Sequence, residues 1–419
     1  MSRSKTRCDA LNTTIPQGEL WILIDSLTYG GIETHVVELA HGLKRYYRLK
    51  SYSRLKNDYG LKSYYALEPN HNVDTVHDLD INHDLNNRHQ TVRVVLVERY
   101  DQSAAIIDKL RAHSIPYSYL DELNASSTTK ITAKQPNILR QLIAAINCYR
   151  PRLIHAHGYK ASIYSKLCKL HTRHRFKQVT TFHAGETPAG KVKWYDRLDR
   201  YSAFLSDVCL SVSPSIQRKV PHKSHVLNNF ISLPHTHSPI SINAQSHPVQ
   251  QNHTTSKQIA FVGRLSHEKG PDRFIELAKQ CPTLCFCLYG DGDMRNSLES
   301  NASTNVKFAG FQPNMADCWH NIDILLMTSR YEGLPMTAIE AMARGIPVIS
   351  LNVGAISTLI THKHNGWLVK DMAEMLQCLM EWQKMDRFAQ QEIQSNAYKT
   401  IEQRFSSDAV IPKIIQLYS

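Results

Sequence analysis

One stretch near the end of the chain constrains the fold more than any other, because four elements follow one another without interruption between residues 322 and 350. The apolar run 322–327 predicts a buried parallel strand, since strands covered on both faces are continuously apolar. Pro335 suits the first turn of a helix, where its missing N–H would be unpaired anyway. Gly345 ends that helix, and Pro347 opens the next apolar strand. This strand–loop–helix–strand order predicts an α/β fold built on a parallel sheet.

Two glutamates lie in this unit, Glu332 in the loop before the helix and Glu340 about two turns further on. A helix N-terminus attracts phosphate, and a carboxylate beside it would repel phosphate, so these side chains are better suited to sugar hydroxyls. An ionised carboxylate can accept both hydrogen bonds of a vicinal diol. Taken singly, Glu332 could equally cap the helix and Glu340 could be an ordinary exposed residue. The unit as a whole favours ligand binding.

The same unit resembles the E-x7-E signature of retaining glycosyltransferases of the GT-B fold, family 4 (glycosyl transferases group 1). Glu332 and Glu340 are separated by seven residues, and Ala-Met-Ala-Arg-Gly-Ile-Pro-Val-Ile follows. The resemblance implies two Rossmann-like α/β domains that face a cleft and bind a nucleotide-diphosphate sugar. It further implies that Glu340 holds the nucleotide ribose, that Glu332 contacts hydroxyls of the transferred sugar, and that Gly333 and Leu334 belong to the donor site.

A loop at the start of the second half supplies positive charge. Gly263 allows a turn after an apolar strand, and Arg264 and Lys269 can reach one diphosphate from the two ends of the loop. Two cations in a loop are more often solvated, yet their order resembles the Gly-Arg-Leu…Lys-Gly loop that binds the donor pyrophosphate in the family. Gly290 lies in a second glycine turn and is assigned to the same site. The resemblance implies that both cations neutralise the leaving diphosphate, so no cofactor and no metal are expected.

The first half opens with an apolar strand over 20–25, the Gly30-Gly31 pair and an amphipathic helix. This order is typical of a doubly wound α/β domain. Glycines let the backbone approach a ligand closely, although many tight turns also use a glycine pair. By resemblance, Gly30 and Gly31 match the Gly-Gly-x-Glu loop that faces the interdomain cleft near the donor.

His183 follows the end of another apolar strand, at the edge where ligands of open α/β sheets bind. A lone histidine there is more often structural, but by resemblance it occupies the position of the family's active-site histidine. His155 and His157 share a strand face and are interpreted as structural or supporting. The 22 histidines show no metal-ligand spacing in the sequence, which again predicts no metal site.

Two segments depart from the family. Residues 46–90 show no resemblance, and the strongly basic, tyrosine-containing stretch 44–62 is consistent either with a solvated insertion or with contact to an anionic membrane surface. Beyond Gly354 the family commonly has Gly-x-Pro-Glu, whereas this chain has Ala355 to Thr358. The acidic contact at Thr358 is therefore absent.

Composition bounds the class of protein. A hydrophobic content of 42% and a charged content of 21% are ordinary for a soluble protein. No apolar run approaches the ~20 residues that span a bilayer, and no signal-peptide core follows the basic N-terminus. We expect a cytoplasmic protein, with peripheral contact at the inner membrane face as an option. The net charge of +12 favours an anionic partner, but no nucleic-acid-binding motif is present, so no nucleic acid is expected.

The predicted organisation has an N-terminal Rossmann-like acceptor domain over 1–225 and a linker over 226–257. A nucleotide-sugar donor domain follows over 258–400, and a C-terminal helix over 401–419 crosses back to the first domain. The predicted function is a retaining, hexosyltransferase-type reaction that moves a sugar to a hydroxyl of a glycan or lipid-linked acceptor in cell-surface polysaccharide or lipopolysaccharide biosynthesis. Two alternatives remain: a catalytically silent protein that binds sugar nucleotides, and a GT-B epimerase.

Overall fold

The computed structural model describes residues 18–25, 31–59, 91–99, 105–124, 137–183, 190–233 and 258–419. Within these residues the chain forms two parallel sheets, each covered by helices on both faces. The first sheet has the strand order β3-β2-β1-β4-β5-β6-β7. Its strands are β1 (Leu20–Ile24), β2 (Val92–Leu96), β3 (Tyr117–Tyr119), β4 (Leu153–His157), β5 (Lys177–Phe182), β6 (Val208–Ser211) and β7 (His225–Val226).

The second sheet has the order β10-β9-β8-β11-β12-β13. Its strands are β8 (Gln258–Val262), β9 (Cys285–Tyr289), β10 (Val306–Gly310), β11 (Ile324–Met327), β12 (Val348–Leu351) and β13 (Trp367–Val369). Both sheets therefore follow the Rossmann order. The strands are all parallel, and the side of the sheet to which successive strands are added changes between β1 and β4 and between β8 and β11. Ligands of open parallel sheets bind at the carboxyl ends of the strands at such reversal points.

Helices connect successive strands. In the first domain they are α1 (Gly31–Tyr59), α2 (Ala105–Ala112), α3 (Ile138–Tyr149), α4 (Tyr159–His171), α5 (Gly190–Tyr201) and α6 (Pro214–Gln217). In the second domain they are α7 (Pro271–Lys279), α8 (Arg295–Asn301), α9 (Met336–Met342), α10 (Met372–Lys384), α11 (Arg387–Arg404) and α12 (Ser407–Tyr418). None of the described helices combines the length and apolar character needed to cross a bilayer.

Alternation along the strands builds a core on each side of each sheet. In β1, Leu20, Ile22 and Ile24 join one apolar cluster, whereas Trp21 and Leu23 join the cluster on the opposite face. Strand β11 divides its side chains in the same way between the two cores of the second sheet. Because both faces are covered, the strands read as continuous apolar runs, as the sequence predicted.

Helix α12 closes the molecule by packing on the first domain. Its apolar side chains share a core with β1 and α1, and they are Val410, Ile411, Ile414 and Tyr418. The approach is close, since a Cβ on Gly42 would lie 2.7 Å from the side chain of Ile411. The segment after β7 is fixed at the same place, where the Ile231 N–H donates to the Phe405 carbonyl over 2.9 Å.

Helix α1 extends beyond the point where the predicted insertion begins. The helix runs to Tyr59, and the Tyr47 side chain is buried in the core, where its hydroxyl accepts a 2.9 Å hydrogen bond from Arg152. Part of the basic, tyrosine-containing pattern of this region is thus helix packing. Residues 60–90 and 234–257, which hold the rest of the insertion and most of the predicted linker, lie outside the described residues.

Candidate functional site

The loops that follow β8 and β11 meet at the reversal point of the second sheet. The Thr328 hydroxyl donates to the Gly270 carbonyl over 2.7 Å, and the Arg330 N–H donates to the Glu268 carbonyl over 2.8 Å. Gly270 has a φ of +65°, and a Cβ there would lie 2.3 Å from the Thr328 carbonyl oxygen. The two loops are therefore held as one rigid unit at the carboxyl edge of the sheet.

Lys269 and Glu332 form an ion pair between these loops. The Lys269 ammonium donates to both carboxylate oxygens of Glu332 over 2.9 Å, and the Ser329 hydroxyl donates to Oε1 over 2.8 Å. Glu332 is nearly buried, with 6% of its side chain exposed, whereas 31% of the Lys269 side chain is exposed. An ammonium has three donors, so one remains for a ligand. A carboxylate accepts about four hydrogen bonds, so Glu332 keeps about one acceptor position for a hydroxyl.

Arg264 lies in the same loop as Lys269 and is exposed. Within the described residues its guanidinium takes part in neither an ion pair nor a hydrogen bond. Its planar set of donors is the form that suits bidentate contact with a phosphate. The sequence prediction that Arg264 and Lys269 flank one loop is consistent with this placement, although Lys269 also holds Glu332.

Sequence reasoning missed a second ion pair, which also connects the loop after β11 to the segment after β8. Arg330 donates to Asp272 at 2.8 Å through Nη1 and also through Nη2, and Nη1 donates to the His267 carbonyl over 2.9 Å. This hydrogen-bonded guanidinium lowers the pKa of Asp272 below its usual value. A basic residue two positions before Glu332 carries no recognisable signal in the sequence, because its partner is 58 residues away.

The predicted glycines have different structural roles. Gly290 has a φ of +139°, and a Cβ there would lie 1.9 Å from the Gly263 carbonyl oxygen, so the turns after β8 and β9 touch through their backbones. Gly333 differs, since a Cβ there would have no neighbour within 4 Å. Gly354 packs against the Glu332 carbonyl, and the Ala355 N–H donates to the Gly333 carbonyl over 2.9 Å. The backbone turn therefore forms although Ala355 replaces the glycine common in the family.

Glu340 lies on α9 and faces the first domain. Burial raises its pKa, while Arg344 and Lys109 of α2 oppose that shift by their positive charge. Glu38 of α1 is a neighbouring carboxyl that the sequence analysis did not single out. Burial raises its pKa to about 7, hydrogen bonds from Ser232 oppose the shift, and the charge of Glu340 adds to it. Carboxyl groups of both domains thus face each other across the cleft.

His183 lies at the end of β5 within a group of buried histidines. Its Nε2 is 2.8 Å from Nδ1 of His157, and its ring centroid is 5.0 Å from that of His35. Burial lowers the pKa of His157 and His183 well below the usual value and that of His35 to about 4, so all three imidazoles are neutral. His155, which was interpreted as structural, bridges the Tyr418 hydroxyl and the Thr181 hydroxyl at 2.6 Å each.

The histidines also form a group with the proximity of metal ligands. His35, His157 and His183 each offer a ring nitrogen, and these atoms lie within 4.8 Å of one another. In the described part of the chain this is the one such group. The sequence spacing concealed it, since His35 is on a helix far from the two strands. The 2.8 Å contact between His157 and His183 is a hydrogen bond, which a shared metal would have to replace.

Asn229 lies between the histidine group and the loop that follows β11. Its side-chain N–H donates to the Leu334 carbonyl over 2.7 Å, and its side chain opposes the lowered pKa of His35. The Asn229 amide oxygen and both His35 nitrogens are buried, and none of them makes a hydrogen bond of ordinary geometry within the described residues. The hydrogen bond from Asn229 thus joins the first domain to the loop of the second domain that holds Glu332.

Asp25 is a further residue that sequence reasoning missed. It follows β1 directly, and its carboxylate accepts backbone hydrogen bonds from Lys160 and Ala161 at the N-terminus of α4. Burial raises its pKa to about 6, against those two hydrogen bonds. The signal was available, because a polar residue at the end of a strand beside the reversal point is a candidate site residue. Gly31 is exposed at the first position of α1, and Gly30 lies outside the described residues.

Solved structures resemble the fold of this chain over nearly its whole length. Anabaena HepE in complex with UDP-glucose matches with a TM-score of 0.68 at 18% sequence identity, over 95% of this chain and 98% of HepE. Staphylococcus aureus TarM matches with a TM-score of 0.65 at 12% identity, over 96% and 99% of the two chains. The chain has the GT-B fold. The predicted fold class is therefore confirmed.

Sequence comparisons reach the second GT-B domain most directly. Residues 243–400 match the family model Glycosyl transferases group 1, and this range holds the glutamate unit and the cationic loop. The O-antigen biosynthesis glycosyltransferase WbnH of Escherichia coli is 28% identical over 221 residues, which cover 52% of this chain and 62% of WbnH. A second Escherichia coli protein, UDP-Gal:alpha-D-GlcNAc-diphosphoundecaprenol alpha-1,3-galactosyltransferase, is 23% identical over 287 residues, 60% of this chain and 72% of that protein. This chain thus spans less than two thirds of the length of WbnH.

Proposed function

We propose that this protein is a retaining glycosyltransferase that moves a hexose from a UDP-sugar to a hydroxyl of a glycan or lipid-linked acceptor in cell-surface glycan biosynthesis. The observation that carries the proposal is the ion pair between Lys269 and Glu332, with Arg264 exposed beside it at the reversal point of the second sheet. This arrangement combines cations for a diphosphate with a carboxylate for a sugar hydroxyl, as a donor of this class requires.

The proposed reaction follows from these positions. Arg264 and the third donor of Lys269 bind the diphosphate and stabilise the negative charge that develops when its bond to the sugar breaks. Glu332 accepts a hydrogen bond from the sugar, and Glu340 accepts hydrogen bonds from the ribose. The acceptor oxygen bonds to the anomeric carbon on the face that the diphosphate leaves, and its proton passes to the departing phosphate oxygen. Neutral His183 shapes the sugar side of the cleft.

The names of similar proteins support the donor and the acceptor class. HepE is described in complex with UDP and with UDP-glucose, and the galactosyltransferase is named for UDP-Gal and a diphosphoundecaprenol acceptor. WbnH is named for O-antigen biosynthesis. By analogy we assign UDP as the nucleotide, and we infer that the cations of the loop make a metal unnecessary.

A binding experiment tests the donor site. Thermal unfolding of the full chain is followed with UDP, GDP, ADP and their sugars. A ligand at ~100 times its dissociation constant stabilises a protein by ~2.7 kcal/mol. We expect UDP and a UDP-sugar to give this shift in the wild type but not in Glu340→Ala. The control is Glu402→Ala, which removes an exposed carboxylate from α11. Absence of a shift with every nucleotide would overturn the donor assignment.

A turnover experiment tests the cationic loop. Lys269→Met should lower the transfer rate roughly a hundredfold, as loss of one charge-stabilising donor does in other enzymes. The matched control is Lys279→Met. It removes an exposed lysine of α7, the helix that follows the cationic loop, and this lysine pairs with Glu276 of the same helix. Unchanged turnover in Lys269→Met would remove that residue from the mechanism, and loss of activity on adding EDTA would contradict the metal-free reaction. Donor binding without transfer would favour the silent binding protein, and product without acceptor would favour the epimerase.

A further inference from the structure

Helix α5 has the reverse of the usual polarity of a surface helix. Its inward side is charged, and Asp196 and Asp199 are almost fully buried, with 8% and 3% exposure. Its outward side is apolar, and Trp194 and Leu198 are 71% and 54% exposed. Surface helices ordinarily bury the apolar stripe and expose the charged one. The difference shows that the apolar stripe is not used in the core of this domain.

The inverted orientation is fixed by partners inside the domain. The Lys166 ammonium, which is fully buried, donates to Asp199 over 2.7 Å and to the Asp199 carbonyl over 2.8 Å. Asp196 pairs with Arg200 one turn later, at 2.8 Å. Turning the helix to bury Trp194 would leave the Lys166 charge without its partner inside the protein, which is strongly unfavourable. The outward position of the apolar side chains is therefore the stable one.

The exposed apolar side chains form a cluster, which we call the α5 face. It consists of Trp194, Tyr195, Leu198 and Tyr201 of α5, together with Phe204, which lies three residues beyond the end of the helix. Of the eleven large hydrophobic side chains that are exposed among the described residues, these five lie within eleven consecutive positions. Scattered exposed apolar residues are normal in monomers, whereas a contiguous group indicates an interaction surface.

The basic side chains around the α5 face favour an anionic partner. The exposed charged side chains among the described residues of α5 are Lys193 and Arg197, both basic, because the acids point inward. The segment after α6 adds three further exposed cations, and they are Arg218, Lys219 and Lys223. This segment adjoins the helix, since Lys219 lines a common cavity with Arg197 and Tyr201. Tryptophan and tyrosine beside lysine and arginine are the composition of segments that lie in the interface of an anionic bilayer.

We propose that the α5 face docks the protein on an anionic membrane surface. Its aromatic and leucine side chains enter the boundary between headgroups and acyl chains, and the surrounding cations contact anionic headgroups. This locates the membrane contact on a different element from the basic stretch 44–62 considered from sequence. In that stretch Tyr47 is buried and Arg45 pairs with Asp408, so part of it serves intramolecular packing.

Helix α5 lies between the proposed membrane contact and the end of β5. The inward side of α5 lines a cavity of about 120 Å³ together with the end of β5, including Asp196, Arg200, Phe182 and His183. A membrane on the outer side would thus hold a lipid-linked acceptor one helix thickness from the cleft. This role in holding the acceptor rests on the proposed glycosyl transfer, whereas the docking itself does not.

Trp194 is a built-in probe for this surface. The chain has five tryptophans, and the other four are at most 2% exposed. Quenching of fluorescence by iodide therefore reports on Trp194. With vesicles of phosphatidylethanolamine and phosphatidylglycerol we expect a blue shift, protection of Trp194 from iodide, and sedimentation of the protein with the vesicles. Vesicles of phosphatidylcholine alone should give much weaker binding, because they lack the anionic headgroups.

Variants separate the α5 face from other surfaces. The double substitution Trp194→Ala with Leu198→Ala should weaken binding to the anionic vesicles roughly tenfold or more, since it removes two large apolar groups. Arg197→Glu should weaken it as well. The control Phe388→Ala removes an aromatic side chain that is 83% exposed on α11 and should leave binding unchanged.

Three results would overturn the proposal. One is a protein that stays in solution with anionic vesicles, and another is binding during which Trp194 remains open to iodide. The third is protection of Trp194 in the absence of vesicles as protein concentration rises, which would assign the α5 face to a second copy of the chain. Stabilisation by UDP is measured on the same variants. If it persists while vesicle binding is lost, the membrane surface and the donor site are separate properties, and a failed donor assignment would not affect the docking result.

Discussion

At the scale of single residues, Lys269 donates two hydrogen bonds to the Glu332 carboxylate and keeps a third donor for a ligand. The pair of Lys269 and Glu332 is partly shielded from water, so it is stronger than a fully exposed surface pair. Burial of Glu332 also means that Lys269 cannot be removed without leaving a poorly solvated carboxylate. Loss of Lys269 is thus expected to disturb both the diphosphate contact and the position of Glu332.

Glu38 gives a prediction for pH dependence. Its pKa is raised from 4.5 to about 7 in the folded protein, so the folded state holds a proton that the unfolded state has released between these values. Stability is unaffected by this group below pH 4.5 and falls as pH rises toward 7, after which the penalty is constant. Glu38→Gln should remove the penalty, so the stability difference between variant and wild type should grow by roughly 3 kcal/mol across that window.

Denaturant unfolding at several pH values measures this difference. The control is Glu402→Gln, which neutralises an exposed carboxylate and should show no such trend. A pH-independent difference between Glu38→Gln and wild type would contradict the raised pKa. The neighbouring charge of Glu340 is part of the cause, so the trend should be smaller in a Glu340→Gln background.

At the scale of elements, loop geometry distinguishes glycines that the sequence pattern treated alike. Gly263 and Gly290 end neighbouring strands, and their turns touch through backbone atoms. Gly333 lies further along its loop, six residues after the end of β11, and has open space where a Cβ would be. Backbone contact and a positive φ make glycine necessary at position 290, whereas the open space at position 333 permits other residues.

These two glycines are a matched pair for experiment. Gly290→Ala must move the turn away from the Gly263 carbonyl, so we expect a loss of roughly 2 kcal/mol or more in unfolding free energy and weaker stabilisation by UDP. Gly333→Ala should change the unfolding free energy by less than about 0.5 kcal/mol. Thermal and denaturant unfolding of both variants decide the matter, and equal destabilisation would show that the contact between the two turns is not the cause.

At the scale of the whole molecule, the C-terminal helix α12 joins the two domains. It leaves the second domain after α11 and packs on α1, and its last tyrosine reaches the histidine group of the first sheet. The Tyr418 hydroxyl lies 2.6 Å from Nδ1 of His155, and burial raises the pKa of Tyr418 well above its usual value. Helix α12 therefore helps to fix the position of His155 in the first sheet.

Tyr418→Phe tests this role. It leaves the buried His155 nitrogen without a partner, which should cost about 1–3 kcal/mol of unfolding free energy. The same substitution at Tyr398, on α11 and away from the histidines, is the control and should be nearly neutral. Denaturant unfolding monitored by circular dichroism provides the measurement. If both variants unfold like the wild type, the hydrogen bond from Tyr418 does not contribute to the folded state.

The sequence by itself determined the features that local pattern encodes. Continuous apolar runs predicted parallel strands, a proline and glycines bounded α9, and the spacing of Glu332 and Glu340 carried the resemblance to the E-x7-E signature. The order of these elements predicted an α/β fold on a parallel sheet, because parallel strands with helical connections have few allowed topologies. The GT-B fold followed from the resemblance of the glutamate unit to the family signature. Arg264 and Lys269 became candidates because their order in the loop after a strand resembles the Gly-Arg-Leu…Lys-Gly loop of the family.

Only the tertiary structure decided which distant residues meet. Lys269 and Glu332 are 63 positions apart, and the histidine group draws on a helix and two strands. Asp25, Glu38 and Asn229 acquire their roles from burial and from partners in other elements. Helix α5 is the clearest case, since the buried Lys166 determines that its charged side faces inward and its apolar side faces outward. Periodicity tells which side chains share a face, whereas the free energy of burying charges and apolar groups decides where that face points.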